Sequence, residues 1–201
     1  MFQVPDILKL FWRNVVWRMN TAEKQIYLTF DDGPNPQVTP LVLAILDRFD
    51  VKATFFCVGE NVSKYPDVFE EVKRRGHAVG NHTFNHIKGY EYSAADYTEN
   101  VQKAAEYIHS SLFRPPHGRI KCSQIKALKK DYKIILWDFI TYDYNKKVQP
   151  EQITKEVKKR SRNGSIVVFH DSLKAEKNVL NALPQALKFW KEEGYSFGIL
   201  S

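Results

Sequence analysis

The sequence predicts an α/β fold on a parallel sheet, for three reasons. Short β-branched and aromatic runs alternate with amphipathic helical patterns, the unit recurs about every 30 residues, and the ionisable residues gather just after the strand runs. The strand runs are Ile26–Phe30, Ala53–Val58, His77–Gly80, Leu112–Arg114, Lys133–Trp137, Ser165–Phe169 and Ser196–Leu200. Helical crossovers between them require parallel pairing, in either a β/α barrel or an open doubly wound sheet. The first strand is not followed by G-x-G-x-x-G, so a dinucleotide-binding reading has no support.

The helices follow from spacing and end signals. Val38, Leu41, Val42, Ile45, Leu46 and Phe49 make an unbroken i, i+3, i+4 stripe. Val68, Phe69 and Val72 mark a second helix, stopped by Gly76 after the basic turn Lys73–Arg75. Ser93 with Asp96 forms a capping-box-like start for a helix through Tyr97, Val101, Ala104 and Ile108. Residues 123–130, 151–160 and 179–190 supply three more. At the N-terminus, Leu8, Phe11, Trp12, Val15, Val16 and Met19 share one helical stripe. Residues 1–24 are therefore expected as a helical segment packed on the domain formed by 25–201, with peripheral membrane contact through residues 1–20 as the alternative. Asp6, Lys9 and Arg13 interrupt the apolar run and no small-residue cleavage motif follows, so no signal peptide is read. The location expected on that basis is the cytoplasm or the inner membrane face.

The chain has 201 residues, 43% hydrophobic and 26% charged, which suits one domain with its own core and excludes a disordered chain. No stretch approaches the roughly 20 apolar residues of a membrane span. Two cysteines, Cys57 and Cys122, make neither a disulfide framework nor an all-cysteine zinc site. Cys57 reads as a buried small hydrophobe, Trp190 as core, and His77 and His109 as solvated. The net charge of +7 is spread along the chain, and its densest run, Lys155–Arg162, reads as a solvated helix face. Without a recognition motif or stacking ladder, no nucleic-acid partner is expected, although an acidic polymer would be attracted by the excess. A monomer is expected.

The chemistry lies where strands end. Asp31-Asp32-Gly33-Pro34 follows the first strand, His82 to His86 the third, and Arg114-Pro115-Pro116-His117-Gly118 the fourth. Asp138 and Asp143 follow the fifth, and His170-Asp171 the sixth. In parallel β/α folds the carboxyl ends of the strands share one face, so these groups are expected to converge. His82 and His86, four apart, would project from one face of a helical turn. With one carboxylate they suit zinc or a similar divalent ion with an open position for water. Of two adjacent carboxylates, one then ligates and the other accepts a proton from the bound water, whose pKa the ion lowers toward roughly 7. His170 is a candidate acid for an amide leaving group, kept protonated by Asp143, and Arg114 would hold the free aspartate anionic.

Thr29-Phe30-Asp31-Asp32-Gly33-Pro34, His82-Thr83-Phe84-Asn85-His86, Arg114 to Gly118, Trp137 to Tyr144 and Ile166 to His170 resemble the ordered motifs of the NodB-like polysaccharide deacetylases, the fourth carbohydrate esterase family. The resemblance implies a distorted (β/α)7 barrel with catalytic residues at the C-terminal strand ends. It also implies metal-dependent removal of acetyl groups from N-acetylated saccharides of the chitin-oligomer or peptidoglycan type. By position, Asp31 is similar to the family's general base, and Asp32, His82 and His86 to its metal ligands. The metal implied is Zn2+ or another divalent ion such as Co2+, Ni2+ or Mn2+. Arg114 matches the arginine that pairs with the base, His170 the general acid and Asp143 its tuning aspartate. His117 matches the oxyanion donor through its backbone N–H, and substrate contacts fall to His117, Tyr144 and Pro116. Four positions depart from the usual pattern. His117 replaces tyrosine, Tyr144 tryptophan, Ile140 an acid and Val168 leucine, which alters substrate contacts rather than chemistry. The competing readings are an O-acetyl (xylan-type) esterase, a small-amide hydrolase, and a non-catalytic saccharide-binding relative.

Overall fold

The computed structural model describes residues 2–3, 12 and 14–201. Its strands are β1 (Phe2–Gln3), β2 (Val15–Val16), β3 (Gln25–Asp31), β4 (Thr54–Cys57), β5 (Ala78–Asn81), β6 (Leu112–Phe113), β7 (Lys133–Ile135), β8 (Phe139–Ile140), β9 (Ser165–His170) and β10 (Ser196–Gly198). Its helices are α1 (Thr39–Arg48), α2 (Gly59–Lys64), α3 (Pro66–Arg74), α4 (Ala94–Ala105), α5 (Cys122–Leu128), α6 (Pro150–Arg160) and α7 (Glu176–Glu192). All seven expected strand runs and all six expected core helices are present. Three two-residue strands (β1, β2, β8) and the short helix α2 were not foreseen.

The strand path β8-β9-β3-β4-β5-β6-β7 is parallel throughout and curls into the distorted barrel. β10 pairs only with the first half of β3, through Ser196–Gly198 against Gln25–Tyr27, while β4 takes the second half, Thr29–Asp31. Side-chain alternation then sorts the residues. Ile26, Leu28 and Phe30 of β3 point outward into the cluster formed with α1 and α7, as do Val167 and Phe169 of β9. The other parity points inward: Ile166, Phe56, Leu112 and Ile135 fill the barrel, with Tyr27 packed against them. Asp31 and His170 share that inward parity, sit at the C-terminal ends of adjacent strands, and are paired in register. The position of the site thus follows from strand alternation.

α7 supplies much of the outer core through Val179, Ala182, Leu183, Ala186, Leu187 and Trp190, all fully buried. Each large aliphatic side chain buried in this way contributes about 1.5–3 kcal/mol. The Trp190 indole N–H donates to Ser161 Oγ at 2.6 Å, so the ring is core, as expected. Ser93 caps α4 by accepting the Asp96 N–H at 3.2 Å. Cys57 is buried and Cys122 exposed, both unpaired. His77 differs from its expectation. It is buried edge-on to Phe55, and its Nδ1 accepts the Ala53 N–H at 3.1 Å. Burial, reinforced by the Lys52 charge, holds its pKa down at about 4.

The N-terminal segment also differs. Val15 and Val16 form a strand parallel to β7, not a helical stripe; Leu8 and Phe11 lie outside the described residues. The Leu136 N–H donates to the Val16 carbonyl at 2.7 Å, the Met19 N–H to Gly164 at 2.9 Å, and Arg18 bridges Ser165 antiparallel. The segment therefore spans the gap at the start of β9 between β7 and β9, the side on which the parallel path is open. Two β-branched valines beside a strand edge with unpaired backbone groups gain ladder hydrogen bonds as a strand, and this outweighs helical spacing.

Gly164 anchors that closure. Its φ is +76°, and a Cβ there would lie 2.0 Å from the Met19 carbonyl oxygen. Gly164→Ala is expected to lower the unfolding free energy by about 1–3 kcal/mol, through the left-handed backbone and the clash together. Urea unfolding checks this; an unchanged midpoint would show that the segment contributes nothing to closing the barrel.

Candidate active site

The turn leaving β3 is held from three directions. The Asn61 side-chain amide donates to the Asp32 carbonyl at 2.8 Å, which fixes Asp32 at φ 80°. The Val58 N–H donates to the Gly33 carbonyl at 2.9 Å, and the Gly33 N–H to Asp171 Oδ1 at 3.1 Å. A Cβ on Gly33 would come within 2.0 Å of Asp171 Oδ2, so only glycine fits over that carboxyl. Asp171 is fully buried; burial pushes its pKa up to about 7 against the hydrogen bond from Thr39 Oγ1 at 2.5 Å. Asp171 and Asn35 therefore act beneath the turn. Asn35 Oδ1 accepts the N–H groups of Gln37 and Val38 ahead of α1.

His82 and His86 do not lie on a helical turn. The loop after β5 is irregular, with Thr83 at φ 66° and His86 at φ 58°. Asn81 builds it: Oδ1 accepts the Thr83 N–H at 2.9 Å while Nδ2 donates to the Val101 carbonyl at 2.9 Å. The two rings still meet, with centroids 5.1 Å apart. His82 Nδ1 lies 2.7 Å from the Arg114 carbonyl, which can only accept, so Nδ1 carries the proton and Nε2 presents a lone pair. That Nε2 is 3.8 Å from Asp32 Oδ1, and His86 Nε2 is 3.1 Å from the same oxygen. One donor atom from each of Asp32, His82 and His86 lies within 4.8 Å of the others, a set that fits a tetrahedral divalent ion with one position open. Burial lowers the His82 pKa to about 4, which keeps the ring neutral and able to ligate. Burial works against the Asp32 anion, but the His86 hydrogen bond and the neighbouring histidine charges prevail and hold its pKa well below the usual carboxylate range.

Asp31 stands beside this set. Its Oδ1 accepts from Arg114 Nη1 at 2.6 Å, and the same nitrogen donates to Thr29 Oγ1 at 2.7 Å. Arg114 is completely buried, with Nη2 on the Leu136 carbonyl at 3.1 Å and its guanidinium 4.0 Å from the Phe56 ring centroid. Burial lowers the Arg114 pKa and the Asp31 charge opposes that. On the adjacent strand, His170 Nδ1 is 2.7 Å from Asp143 Oδ1, and the His170 N–H donates to Asp143 Oδ2 at 2.8 Å. Burial alone would depress the His170 pKa; the Asp143 charge and hydrogen bond overcome it and raise it to about 9. Asn178 fixes the Asp143 loop by donating to the Asp143 carbonyl at 2.8 Å. Tyr144 stands edge-on to His170 at 4.7 Å, and His117, at φ 58°, edge-on to His86 at 4.7 Å.

Residues 18–133 match the family model described as polysaccharide deacetylase. The chain belongs to the polysaccharide deacetylase family. It is 33% identical over 195 residues to a peptidoglycan-N-acetylglucosamine deacetylase of Bacillus cereus, spanning 93% of this chain and 91% of that protein. A crystal structure of the Bc1960 peptidoglycan N-acetylglucosamine deacetylase superposes with a TM-score of 0.90 at 29% identity, covering 98% of this chain and 95% of the other. A family pseudoenzyme from Bacillus anthracis, BA3943, superposes at 0.82 with 25% identity, over 92% of this chain and 67% of that one.

In this member of the family the site opens into a cleft of about 580 Å³. Asp31, Asp32, His82, His86, His117, Tyr144 and His170 reach its wall, as the sequence predicts. Pro116 does not: it is buried and takes no part in the lining. Asp138 goes elsewhere too. Its carboxylate takes Arg162 Nη2 at 2.6 Å and Ser165 Oγ at 2.9 Å, at the start of β9, while the site lies at that strand's other end. Its successor strand β8 is two residues long, and β7 ends before it, so "after the fifth strand" does not mean the C-terminal face here. Sequence reasoning missed Lys88, Arg119, Tyr142 and Lys174, which also line the cleft. Each follows a strand that feeds the site, and that was the available signal.

Proposed function

We propose that this protein hydrolyses acetamido groups of N-acetylated saccharides, with a divalent ion, zinc first among candidates, held by Asp32, His82 and His86. The observation that carries this reading is Asp31: a carboxylate beside the ligand set but outside it, clamped at one oxygen by a buried arginine and in register with a buried histidine–aspartate pair. When bound, the ion would acidify a water and polarise the acetyl carbonyl. Asp31 takes the proton of the attacking water on Oδ2, since Arg114 occupies Oδ1. Arg114, with Thr29 behind it, keeps that carboxylate ionised and oriented. The His117 backbone N–H donates to the developing oxyanion, a contact of a kind worth about 3–4 kcal/mol at the barrier. His170 Nε2 passes its proton to the departing nitrogen, and Asp143 holds the ring in the tautomer and charge state that allows this. Tyr144 and Trp137 supply apolar surface beside the reacting carbon.

The relatives named for peptidoglycan N-acetylglucosamine deacetylation support a cell-wall-type saccharide. A non-catalytic role like that of the BA3943 pseudoenzyme is disfavoured, because a binding module needs neither a clamped base nor a raised histidine. The test is acetate release from N-acetylglucosamine tetramer and from peptidoglycan, with acetylated xylan alongside. Release is expected from the N-acetylated substrates, abolished by chelator and restored by Zn2+ or Co2+. Release that survives exhaustive chelation would remove the metal from the mechanism, and release from xylan alone would move the activity to esters.

A further inference from the structure

The two histidines of the ligand set are held differently. His82 is buried, and its Nδ1 bonds to the Arg114 carbonyl at 2.7 Å, which fixes the ring. A metal-binding histidine usually has such a partner on its second ring nitrogen. His86 has none: no hydrogen bond reaches its Nδ1 among the described residues, and its side chain is 32% exposed. Where the His86 ring points is therefore set by the backbone that carries it. That backbone is left-handed at Thr83 and at His86 itself, a conformation that non-glycine residues keep only when their surroundings impose it. The loop does not brace itself through its own hydroxyl, since Thr83 Oγ1 is buried without a partner.

The bracing next to His86 comes from two helices. From α2, the Gly59 N–H donates to the Thr83 carbonyl at 3.0 Å and the Glu60 N–H to the Phe84 carbonyl at 2.7 Å. From α4, Asn100 takes the other backbone group of Phe84. Its Oδ1 accepts the Phe84 N–H at 2.9 Å, and its Nδ2 donates to Asn85 Oδ1 at 2.8 Å. A backbone N–H can only donate, so the orientation of the Asn100 amide follows from its partner. Both residues that immediately precede His86 are thus tied to one side chain. Its support is firm: Tyr97, Val101 and Ala104 of α4 are fully buried, and the Phe84 ring lies 4.0 Å from Lys103 Nζ of the same helix. Asparagine is a weak helix former, and in mid-helix Asn100 spends its amide on the loop rather than on its own helix. Asn100 does not line the cleft. Resting on the metal-dependent reading, we propose that Asn100 is the positioning residue for His86, holding the ligand loop so that this ring can share a divalent ion with Asp32 and His82.

The test is Zn2+ binding by the ion-free full chain, read by competition with a chromophoric chelator. Parent, Asn100→Ala, Asn100→Asp and Gln102→Ala are compared. Asn100→Ala removes both loop bonds and is expected to weaken binding by about 10–100-fold. Asn100→Asp keeps an acceptor for the Phe84 N–H, and the Asn85 amide can turn to donate to its second oxygen, so affinity is expected to return close to the parent's. Gln102→Ala, exposed on the same helix, leaves it unchanged. Alanine is the better helix former, so urea unfolding of ion-free Asn100→Ala should give a midpoint near the parent's. Acetate release by Asn100→Ala is expected to recover at saturating Zn2+, with the half-activating concentration raised by the same factor as the Kd. Parent-like affinity in Asn100→Ala, or an equal loss in Asn100→Asp, overturns the proposal and leaves the metal reading standing. An affinity loss matched by an equal drop in the unfolding free energy of the ion-free protein overturns it too, by assigning Asn100 to the general fold. A parent chain that binds no Zn2+ removes the metal reading, and the proposal with it.

Discussion

Asp31→Asn is expected to lower kcat on an N-acetylated oligosaccharide by about 10²–10⁴-fold, the range that a positioned general base supplies. The substitution keeps the shape and the Oδ1 acceptor for Arg114 Nη1, so the cleft stays built. What disappears is the oxygen that, in the proposed mechanism, takes a proton from water. It also leaves the Arg114 guanidinium, completely buried, without its counter-charge. Removing one partner of a buried ion pair typically costs about 3–5 kcal/mol, because the remaining charge is stranded. Here Thr29 Oγ1 and the Leu136 carbonyl still accept from the guanidinium, which softens that loss without cancelling it. Two measurements therefore belong together: steady-state kinetics under conditions where circular dichroism shows native protein, and urea unfolding. A variant that stays within tenfold of the parent in kcat would remove Asp31 from the role of base.

The residues proposed as metal ligands, base and acid were legible as one cluster because each lies at or just after the end of a strand, and parallel strands deliver their C-terminal ends to one place. Asp31, Arg114 and His170 needed only that rule, and strand alternation in the structure adds why Asp31 and His170 face inward. The His82–His86 pair was found for the wrong local reason. A spacing of four does place two side chains together on a helix, but here left-handed residues Thr83 and His86, braced by Asn81, do it in a loop. Backbone conformations of that kind leave no periodic trace. Asp138 shows the opposite failure. It follows a strand run, yet the barrel wall is split there into β7 and the two-residue β8, and the carboxylate turns toward Arg162 and Ser165 at the start of β9. Val15 and Val16 were drawn into a helical stripe because spacing describes only the segment itself. The edge of β7, which decides their conformation, is contributed by residues more than a hundred positions away.

The second large effect concerns His170 and the alkaline side of the pH–rate profile. As the proposed acid, His170 would act only when protonated, so activity is expected to fall as pH rises through its pKa. In the protein without an ion, Asp143 chiefly, then Asp32 and Asp31, overcome burial and hold that pKa at about 9. An ion bound by Asp32 offsets part of this, so the alkaline limb in the loaded enzyme is expected between 6.5 and about 9. Asp143→Asn removes the principal opposing charge. Burial then dominates, and the limb is expected to move to 6.5 or below, with kcat at pH 8 reduced by about tenfold or more and a smaller loss at pH 6. Stability follows the same sign. A histidine with a raised folded-state pKa stabilises fully below its unfolded value and loses that contribution as pH climbs through the folded one. The stability gap between parent and Asp143→Asn, read by urea unfolding of the ion-free proteins, should be widest at pH 6 and narrower at pH 10. His170→Gln should lower kcat by about 10²–10⁴-fold at any pH, with no alkaline limb of this origin remaining. A profile whose alkaline limb stays in place in Asp143→Asn would assign the leaving-group proton to some other donor, and Tyr144, whose own pKa burial raises to about 12, would titrate far above the range in question.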